Sequence, residues 1–236
     1  MADEPLTAAQ EAVLARLAGI RERVNAACEA AERDPSGVTL MAVTKTVDPL
    51  LINTAVDAGV TVLGENRVQE FLSKRESYRK TAEVQFIGHL QTNKVRQIVG
   101  LVSMIQSVDS LHLAEAVERA AEAKGIVMPV LLEVNIGGEA SKSGVSPDGL
   151  PALLNAVSAF PHLTVRGLMT IPPPQPDPEE QDAVFARMQA LFETVRQQYP
   201  VDTLSMGMSG DYESAVRHGA TTVRIGSALF GARVYR

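Results

Sequence analysis

The sequence contains no tryptophan, one cysteine and few aromatic residues, which make up 4% of its 236 residues. A single cysteine, Cys28, cannot form an internal disulfide and is typical of a reducing compartment. Acidic residues outnumber Lys and Arg by 28 to 22, which argues against a surface for nucleic acid or anionic membrane. The sequence also lacks a bilayer-length apolar run and the layout of a secretory signal. These absences predict a cytoplasmic protein with neither a nucleic-acid nor a membrane partner.

Strand-like apolar runs alternate with helix-like stretches along most of the chain. Strands are predicted at 39–43, 61–63, 84–87, 102–106, 129–134, 164–169, 202–204 and 222–225. Capping residues and helical spacing predict helices at 8–32, 49–58, 111–124 and 179–198. The strands are too continuously apolar to face water, which favours α/β architecture: a single (β/α)8 TIM-type barrel spanning residues 1–236, with the helix in 1–34 packed on it. A doubly wound open sheet is the alternative.

Lys45 follows the first predicted strand directly, and Asp48-Pro49 then begins a helix. The carboxyl ends of parallel strands are where active sites of α/β folds are built. A lysine held against apolar walls there can lose its charge and attack an aldehyde. On this stretch alone, an ordinary lysine extending from a strand end is the simpler interpretation.

Glycines and serines are concentrated in and after the last two predicted strands. Phosphate sites in barrels commonly lie there, on backbone N–H groups and a short helix N-terminus. The candidate phosphate contacts are Ser205, Ser209, Gly226 and Ser227. Together with a strand-end lysine, they suit pyridoxal phosphate (PLP), whose aldehyde and phosphate need separate anchors. Simple chain turning is the ordinary explanation for either segment alone.

Arg224 lies on the last strand, two residues before Gly226. A guanidinium keeps its proton, so facing a pyridine nitrogen it would leave that nitrogen unprotonated and the cofactor a weak electron sink. An inward arginine paired with a core carboxylate such as Glu133 explains the position equally well.

Asn66 and His89 follow the second and third strands. Asn66 could bond a ring substituent or cap the next helix, and His89 could stack on a ring or be a structural histidine. The loop 137–144 could cover the barrel mouth, with Lys142 meeting an anion, or be an ordinary surface loop. The four histidines show no metal-ligand spacing, so no metal is expected.

Six motifs together resemble one known family, the PLP homeostasis proteins, which are single-domain relatives of the alanine racemase N-terminal barrel. They are Met41-Ala-Val-Thr-Lys-Thr46, Gly64-Glu-Asn66, Phe86-Ile-Gly-His-Leu-Gln-Thr-Asn-Lys94, Gly167-Leu-Met-Thr-Ile171, Ser205-Met-Gly-Met-Ser209 and Val223-Arg-Ile-Gly-Ser-Ala-Leu-Phe-Gly231. The resemblance covers residue 38 to the C-terminus.

The resemblance implies a covalent aldimine of PLP on Lys45 and phosphate contacts that also include Met206. It further implies Arg224 at the ring nitrogen, with Asn66 nearby. Many family members carry a second lysine two residues after the first, where this chain has Val47. Any role of that second lysine in cofactor transfer is therefore not expected here.

The resemblance leaves two functions, a non-catalytic PLP carrier that buffers or delivers the cofactor to apo-enzymes, and an amino-acid racemase. Racemisation needs acid–base groups on both faces of the substrate carbon. In the racemases, as the resemblance implies, a tyrosine from an additional β domain supplies the second base, and no such domain is expected after the eighth strand. The carrier is therefore the prediction, as a monomer or homodimer. A barrel enzyme acting on another phosphorylated substrate would use the same loops without the lysine.

Overall fold

Eight parallel strands form a closed barrel in the computed structural model, which describes residues 5–138, 143–173 and 177–232. Each strand pairs with its neighbours in chain order, and β1 also pairs with β8, Met41 lying opposite Arg224. The strands are β1 Thr39–Val43, β2 Val62–Glu65, β3 Glu83–Phe86, β4 Met104–Val108, β5 Met128–Glu133, β6 Leu163–Met169, β7 Thr203–Met208 and β8 Thr222–Ile225. The predicted barrel is confirmed, and the pairing of β1 with β8 rules out the open sheet.

Helices surround the barrel and shield the outer faces of its strands. They are α1 Ala8–Ala30, α2 Pro49–Asp57, α3 Val68–Lys74, α4 Val95–Ile98, α5 Leu111–Glu122, α6 Leu150–Ser158, α7 Pro178–Arg196, α8 Tyr212–Arg217 and α9 Ser227–Phe230. Short 3₁₀ helices lie at Pro35–Gly37, Arg75–Ser77 and Thr92–Lys94. Most buried apolar side chains belong to one cluster that joins the outer strand faces to the helices. None of the helices described is long and apolar enough to cross a membrane.

The first helix, α1, starts at a capping box and packs against helices that follow the first and the last strands of the barrel. Thr7 Oγ1 accepts from the Gln10 N–H at 3.3 Å, and Gln10 Oε1 accepts from the Thr7 N–H at 3.0 Å. The helix contacts α2, α8 and α9. Its buried residues recur at helical spacing (Val13, Leu17, Ile20, Val24, Ala27, Cys28). An apolar stripe of this kind directs the helix onto neighbouring helices.

The predicted bounds of β1 and β8 agree with the structure, those of the other strands differ, and the differences are largest for β4 and β7. Val102 is buried but forms only a single bridge with Val99, so β4 starts later than the apolar run does. β7 continues through Gly207, whose φ is +88°, to Met208. Glycine permits this backbone without strain, so a residue that reads as a loop in the sequence lies inside a strand.

Candidate functional site

Lys45 occupies a tight turn directly after β1. The Val47 N–H donates to the Thr44 carbonyl oxygen at 3.1 Å, which places Lys45 and Thr46 at the centre of the turn. Thr46 has a φ of +61°, the region that type II turns require at this position and that glycine normally fills. In a threonine this conformation costs about 1–2 kcal/mol. Asp48 then caps α2, accepting from the Leu50 N–H at 2.8 Å, as the sequence predicts.

A cavity of about 230 Å³ lies beside this turn. Because β1 and β8 are neighbours, it is bounded by the loops that follow both strands. It is lined by Val43, Lys45, Thr46, Val47, Asp48, Leu51, Gly226, Ser227, Phe230, Gly231 and Ala232. The structure therefore brings together Lys45, Gly226 and Ser227, three of the residues singled out in the sequence.

Ser209 joins the same loop through its hydroxyl. Its Oγ accepts from the N–H groups of Gly226 and Ala228, each at 3.1 Å. These N–H groups open the last helical turn, α9, so the serine oxygen lies where backbone donors converge. The loops after β7 and β8 are thereby linked, as expected if they serve one site.

Ser205 and Met206 lie within β7 and not in the loop after it. Ser205 is fully buried in the barrel interior, where its Oγ accepts from Arg224 Nη1 and donates to Gln106 Oε1, both at 2.7 Å. Met206 is fully buried in the main hydrophobic cluster. The Ser205 hydroxyl thus orients Arg224, and Met206 has only its backbone to offer a ligand.

Arg224 is buried on β8, and hydrogen bonds fix its guanidinium. Nη1 donates to Ser205, and Nη2 donates to the Thr170 carbonyl oxygen at 2.7 Å. Within the described ranges no carboxylate lies within ion-pairing distance of it, so the pair with Glu133 considered from the sequence does not form. Burial lowers the pKa of Arg224 to about 10, while Asp211 and Glu133 act from a distance in the opposite direction. Arg224 therefore stays charged at neutral pH.

Sequence reasoning missed the polar chain behind Arg224. From Ser205 it continues through Gln106, whose Nε2 donates to Gln85 Oε1 at 2.6 Å. Buried polar groups are normally satisfied in this way. The sequence signal was Gln106, which lies with Ser107 inside a strand whose other residues are apolar.

Glu133, near the end of β5, is a buried acid with a strongly raised pKa. Burial raises its pKa from 4.5 to about 7, Asp109 adds to the increase and Arg224 opposes it. The folded protein therefore retains a proton that the unfolded chain has already lost, and stability falls as pH rises from 4.5 to about 7. A shift of this size corresponds to about 3 kcal/mol.

We expect Glu133→Gln to remove this pH dependence, because glutamine carries no charge to bury. Urea unfolding at pH values below and above the window should show that the variant gains up to about 3 kcal/mol relative to the wild type at the higher pH. Glu122→Gln, at an exposed position on α5, serves as the matched control. Parallel stability–pH curves for wild type and Glu133→Gln would contradict the prediction.

Asn66 follows β2 and does not cap the next helix. The N-cap position of α3 is Arg67, and no side chain caps that helix. Among the described residues, the buried Asn66 Oδ1 has no hydrogen-bond partner, and neither does Oε2 of the adjacent buried Glu65. Glu65 Oε1 accepts from Thr44 Oγ1 at 2.6 Å and from the Tyr78 hydroxyl. A free buried acceptor at Asn66 fits a ligand that brings a donor.

Gly88 allows the loop after β3 to pass directly over Asn66. A Cβ at this position would lie 2.1 Å from the Asn66 carbonyl oxygen and 2.7 Å from its Cα. We expect Gly88→Ala to displace the Asn66 backbone and to lower the free energy of unfolding by about 1–3 kcal/mol. Urea unfolding measures this, with Gly37→Ala, at an uncrowded position without positive φ, as the comparison. Unchanged stability of Gly88→Ala would show that the loop moves aside without strain.

His89 is not brought into the Lys45 cavity. Its side chain is 62% exposed, and Nδ1 lies 3.8 Å from Asp109 Oδ2 and 3.3 Å from Ser143 Oγ. The cleft that it lines, of about 710 Å³, shares no lining residue with the Lys45 cavity. The suggested role of Lys142 stays a prediction, because that residue lies outside those described. Among the described side chains, no group of three His, Cys, Asp or Glu residues is arranged to hold a metal.

Sequence comparisons identify relatives over nearly the whole chain. The model of the family "Alanine racemase, N-terminal domain" matches residues 15–234. A pyridoxal phosphate homeostasis protein of Aquifex aeolicus is 44% identical over 223 residues, covering 93% of this chain and 98% of the relative. The protein of that name from Pseudomonas aeruginosa is 44% identical over 220 residues, covering 93% and 95%. The chain belongs to the pyridoxal phosphate homeostasis protein family.

Solved structures agree with this membership. The structure of PipY from Synechococcus elongatus with PLP bound superposes with a TM-score of 0.81 at 34% identity, covering 93% of this chain and all of PipY. An alanine racemase of Clostridium difficile superposes with a TM-score of 0.73 at 12% identity, over 59% of its length. The racemase shares the fold alone. The motifs predicted a homeostasis-family chain with the barrel fold of the racemases, and this prediction is confirmed.

Proposed function

We propose that this chain binds PLP as a Schiff base on Lys45 and buffers or delivers it without substantial catalysis. The observation that carries the proposal is that Lys45 and the Gly226–Ser227 loop line one cavity at the C-terminal edge of the barrel. The relationship to PipY, whose structure contains PLP, supports the choice of ligand. In this proposal the protein works in the cytoplasm, as a monomer or homodimer, and meets apo-enzymes transiently.

The residues present fit the two ends of this cofactor. When bound, PLP supplies an aldehyde that condenses with an amine. The neutral Lys45 Nζ would attack the aldehyde carbon, a C=N bond would replace the C=O bond, and the oxygen would leave as water with both amine hydrogens. The backbone around Gly226, with the hydroxyls of Ser209 and Ser227, would donate to the phosphate. Arg224 would lie toward the ring nitrogen, and the unpartnered Asn66 oxygen would accept from a ring substituent.

The racemase alternative lacks a second base among the described tyrosines. The Tyr78 hydroxyl donates to Glu65, and burial followed by this carboxylate raises its pKa far above the ordinary value. The Tyr212 hydroxyl accepts from Arg23 Nε on α1 at 2.5 Å, on the outside of the barrel. Tyr199 lies between α7 and β7, at the N-terminal edge of the sheet and opposite the cavity. These positions favour a carrier.

An ultraviolet-visible spectrum before and after borohydride, followed by peptide mass mapping, tests the proposal. A visible band that borohydride abolishes, with the reduced pyridoxyl group on the Lys45 peptide, would support it. Protein that stays colourless with added PLP would overturn it and favour a barrel enzyme acting on another phosphorylated substrate.

Racemisation is tested separately, with the PLP-loaded protein and L-alanine. We expect no loss of optical activity beyond that caused by free PLP, because none of the tyrosines in the described ranges is placed to act as the second acid–base group. Sustained loss of optical activity that Lys45→Ala abolishes would contradict this expectation and establish a racemase.

A further inference from the structure

A sheltered ion pair on α3 lies next to the Lys45 turn. Glu70 Oε1 and Lys74 Nζ are 2.5 Å apart, and each side chain is 17% exposed. The pair Glu76–Lys80 has the same spacing but is 72% and 74% exposed, with its charged atoms 3.4 Å apart. Partly buried ion pairs are screened less by salt than exposed ones. Salt therefore weakens the Glu70–Lys74 pair less than the Glu76–Lys80 pair, and its charged groups are better able to restrain the groups bonded to them.

Both members of the pair also bind the backbone on either side of Lys45. Glu70 Oε1 accepts from the Thr46 N–H at 2.5 Å, and Lys74 Nζ donates to the Thr44 carbonyl oxygen at 3.3 Å. Burial alone would raise the pKa of Glu70, but the bonds from Lys74 and Thr46 outweigh it and lower the pKa. Glu70 is therefore ionised at neutral pH and accepts both bonds as a carboxylate, which strengthens them.

The turn needs such support because of Thr46. A β-branched residue at a φ of +61° persists only where surrounding contacts impose it. The bond from Thr46 to Glu70 is a contact of this kind, and it joins residues 24 positions apart in the sequence. Lys45 and Thr46 are the two central residues of the same turn. A contact that holds the Thr46 backbone therefore also restrains the direction of the Lys45 side chain.

We propose that Glu70 and Lys74 are positioning residues that hold Lys45 ready for condensation with the aldehyde, a role that rests on the proposed Schiff base. An amine held near its reaction geometry gains a large effective concentration, which is lost when its support loosens. The contribution is confined to the covalent step. Ligands that bind only through phosphate and ring do not depend on it.

Two ligands separate positioning from general damage. PLP has the aldehyde, whereas pyridoxine 5′-phosphate has an alcohol in its place and cannot condense with lysine. We expect Glu70→Ala to weaken PLP binding about 10-fold and to leave pyridoxine 5′-phosphate binding within about twofold of wild type. Glu76→Ala is the matched control and should change neither. Equal loss of both ligands, or loss of neither, would overturn the proposal.

A second variant tests whether the effect passes through the turn. Glycine adopts positive φ without strain, so adding Thr46→Gly to Glu70→Ala should restore much of the lost PLP affinity. If the double variant loses as much PLP affinity as Glu70→Ala alone, the effect does not pass through the Thr46 turn and the proposal is contradicted. A wild-type protein that borohydride does not label at Lys45 would instead overturn the proposed function, which keeps the two failures distinct.

Discussion

Lys45→Ala is expected to eliminate stoichiometric borohydride labelling of the protein, because the variant lacks the amine that forms the C=N bond. The phosphate and ring contacts would remain, so PLP should still bind, with an affinity reduced about 10²-fold to that of pyridoxine 5′-phosphate. Spectral titration with both ligands measures the change. In the wild type PLP should bind much more tightly than the alcohol, and in the variant the two should bind equally.

Lys80→Ala is the matched control, since Lys80 is exposed and lies outside the cavity. It should retain full labelling and wild-type affinity for both ligands. Persistent labelling of Lys45→Ala would show that another lysine forms the Schiff base. Equal affinities for the two ligands already in the wild type would show that Lys45 contributes nothing covalent.

The barrel was predictable because its first and last strands carry clear local signals. The predicted bounds of β1 and β8 agree with the structure. At β1 the apolar run stops at a polar turn, and Asp48-Pro49 gives an unambiguous helix start. Since β1 and β8 close the barrel, placing them correctly also placed Lys45 beside Gly226 and Ser227.

The direction of side chains inside β7 could not be read from the sequence. Glycines at 207 and 210 suggested a loop, in which serines offer their hydroxyls to a ligand. In the structure the pairing of β7 with β8 shifts register between Ser205 and Met208, and Ser205 faces the barrel interior. A shift of one residue reverses the face of a strand residue, and the sequence contains no signal for it.

Distances between residues across the barrel mouth could not be predicted from the sequence either. His89 and Asn66 both follow strands, which predicts the correct edge but not whether either reaches the Lys45 cavity. The contact of Glu70 with Thr46 shows the same limit. Acid–lysine pairs four residues apart are common on helices, and only the packing of α3 against the turn gives this pair a second set of partners.

Arg224→Leu is expected to destabilise the protein by about 2–4 kcal/mol, because two buried acceptors lose the charged donor that satisfies them. The buried Ser205 hydroxyl and Thr170 carbonyl would lose a donor, and Glu133 and Asp211 would lose the nearby positive charge. Urea unfolding measures the loss. Arg224→Lys keeps the charge but has no planar guanidinium to reach both hydrogen-bond partners. Its free energy of unfolding should lie between those of the wild type and Arg224→Leu.

The pH dependence of this loss identifies its electrostatic part. Arg224 attracts Glu133 only when that carboxyl is ionised, which in the wild type occurs above about pH 7. Without Arg224 the pKa of Glu133 rises further, so Glu133 in the folded variant stays protonated to higher pH. The free energy of unfolding of the variant therefore continues to fall with pH in the range where that of the wild type becomes constant. The destabilisation should therefore be larger above pH 7 than below it. Adding Glu133→Gln should remove the part of this pH dependence that belongs to Glu133 and leave the part that comes from Asp211, whose carboxylate Arg224 also stabilises. A loss of equal size at all pH values would assign the whole effect to the hydrogen bonds of Ser205 and Thr170.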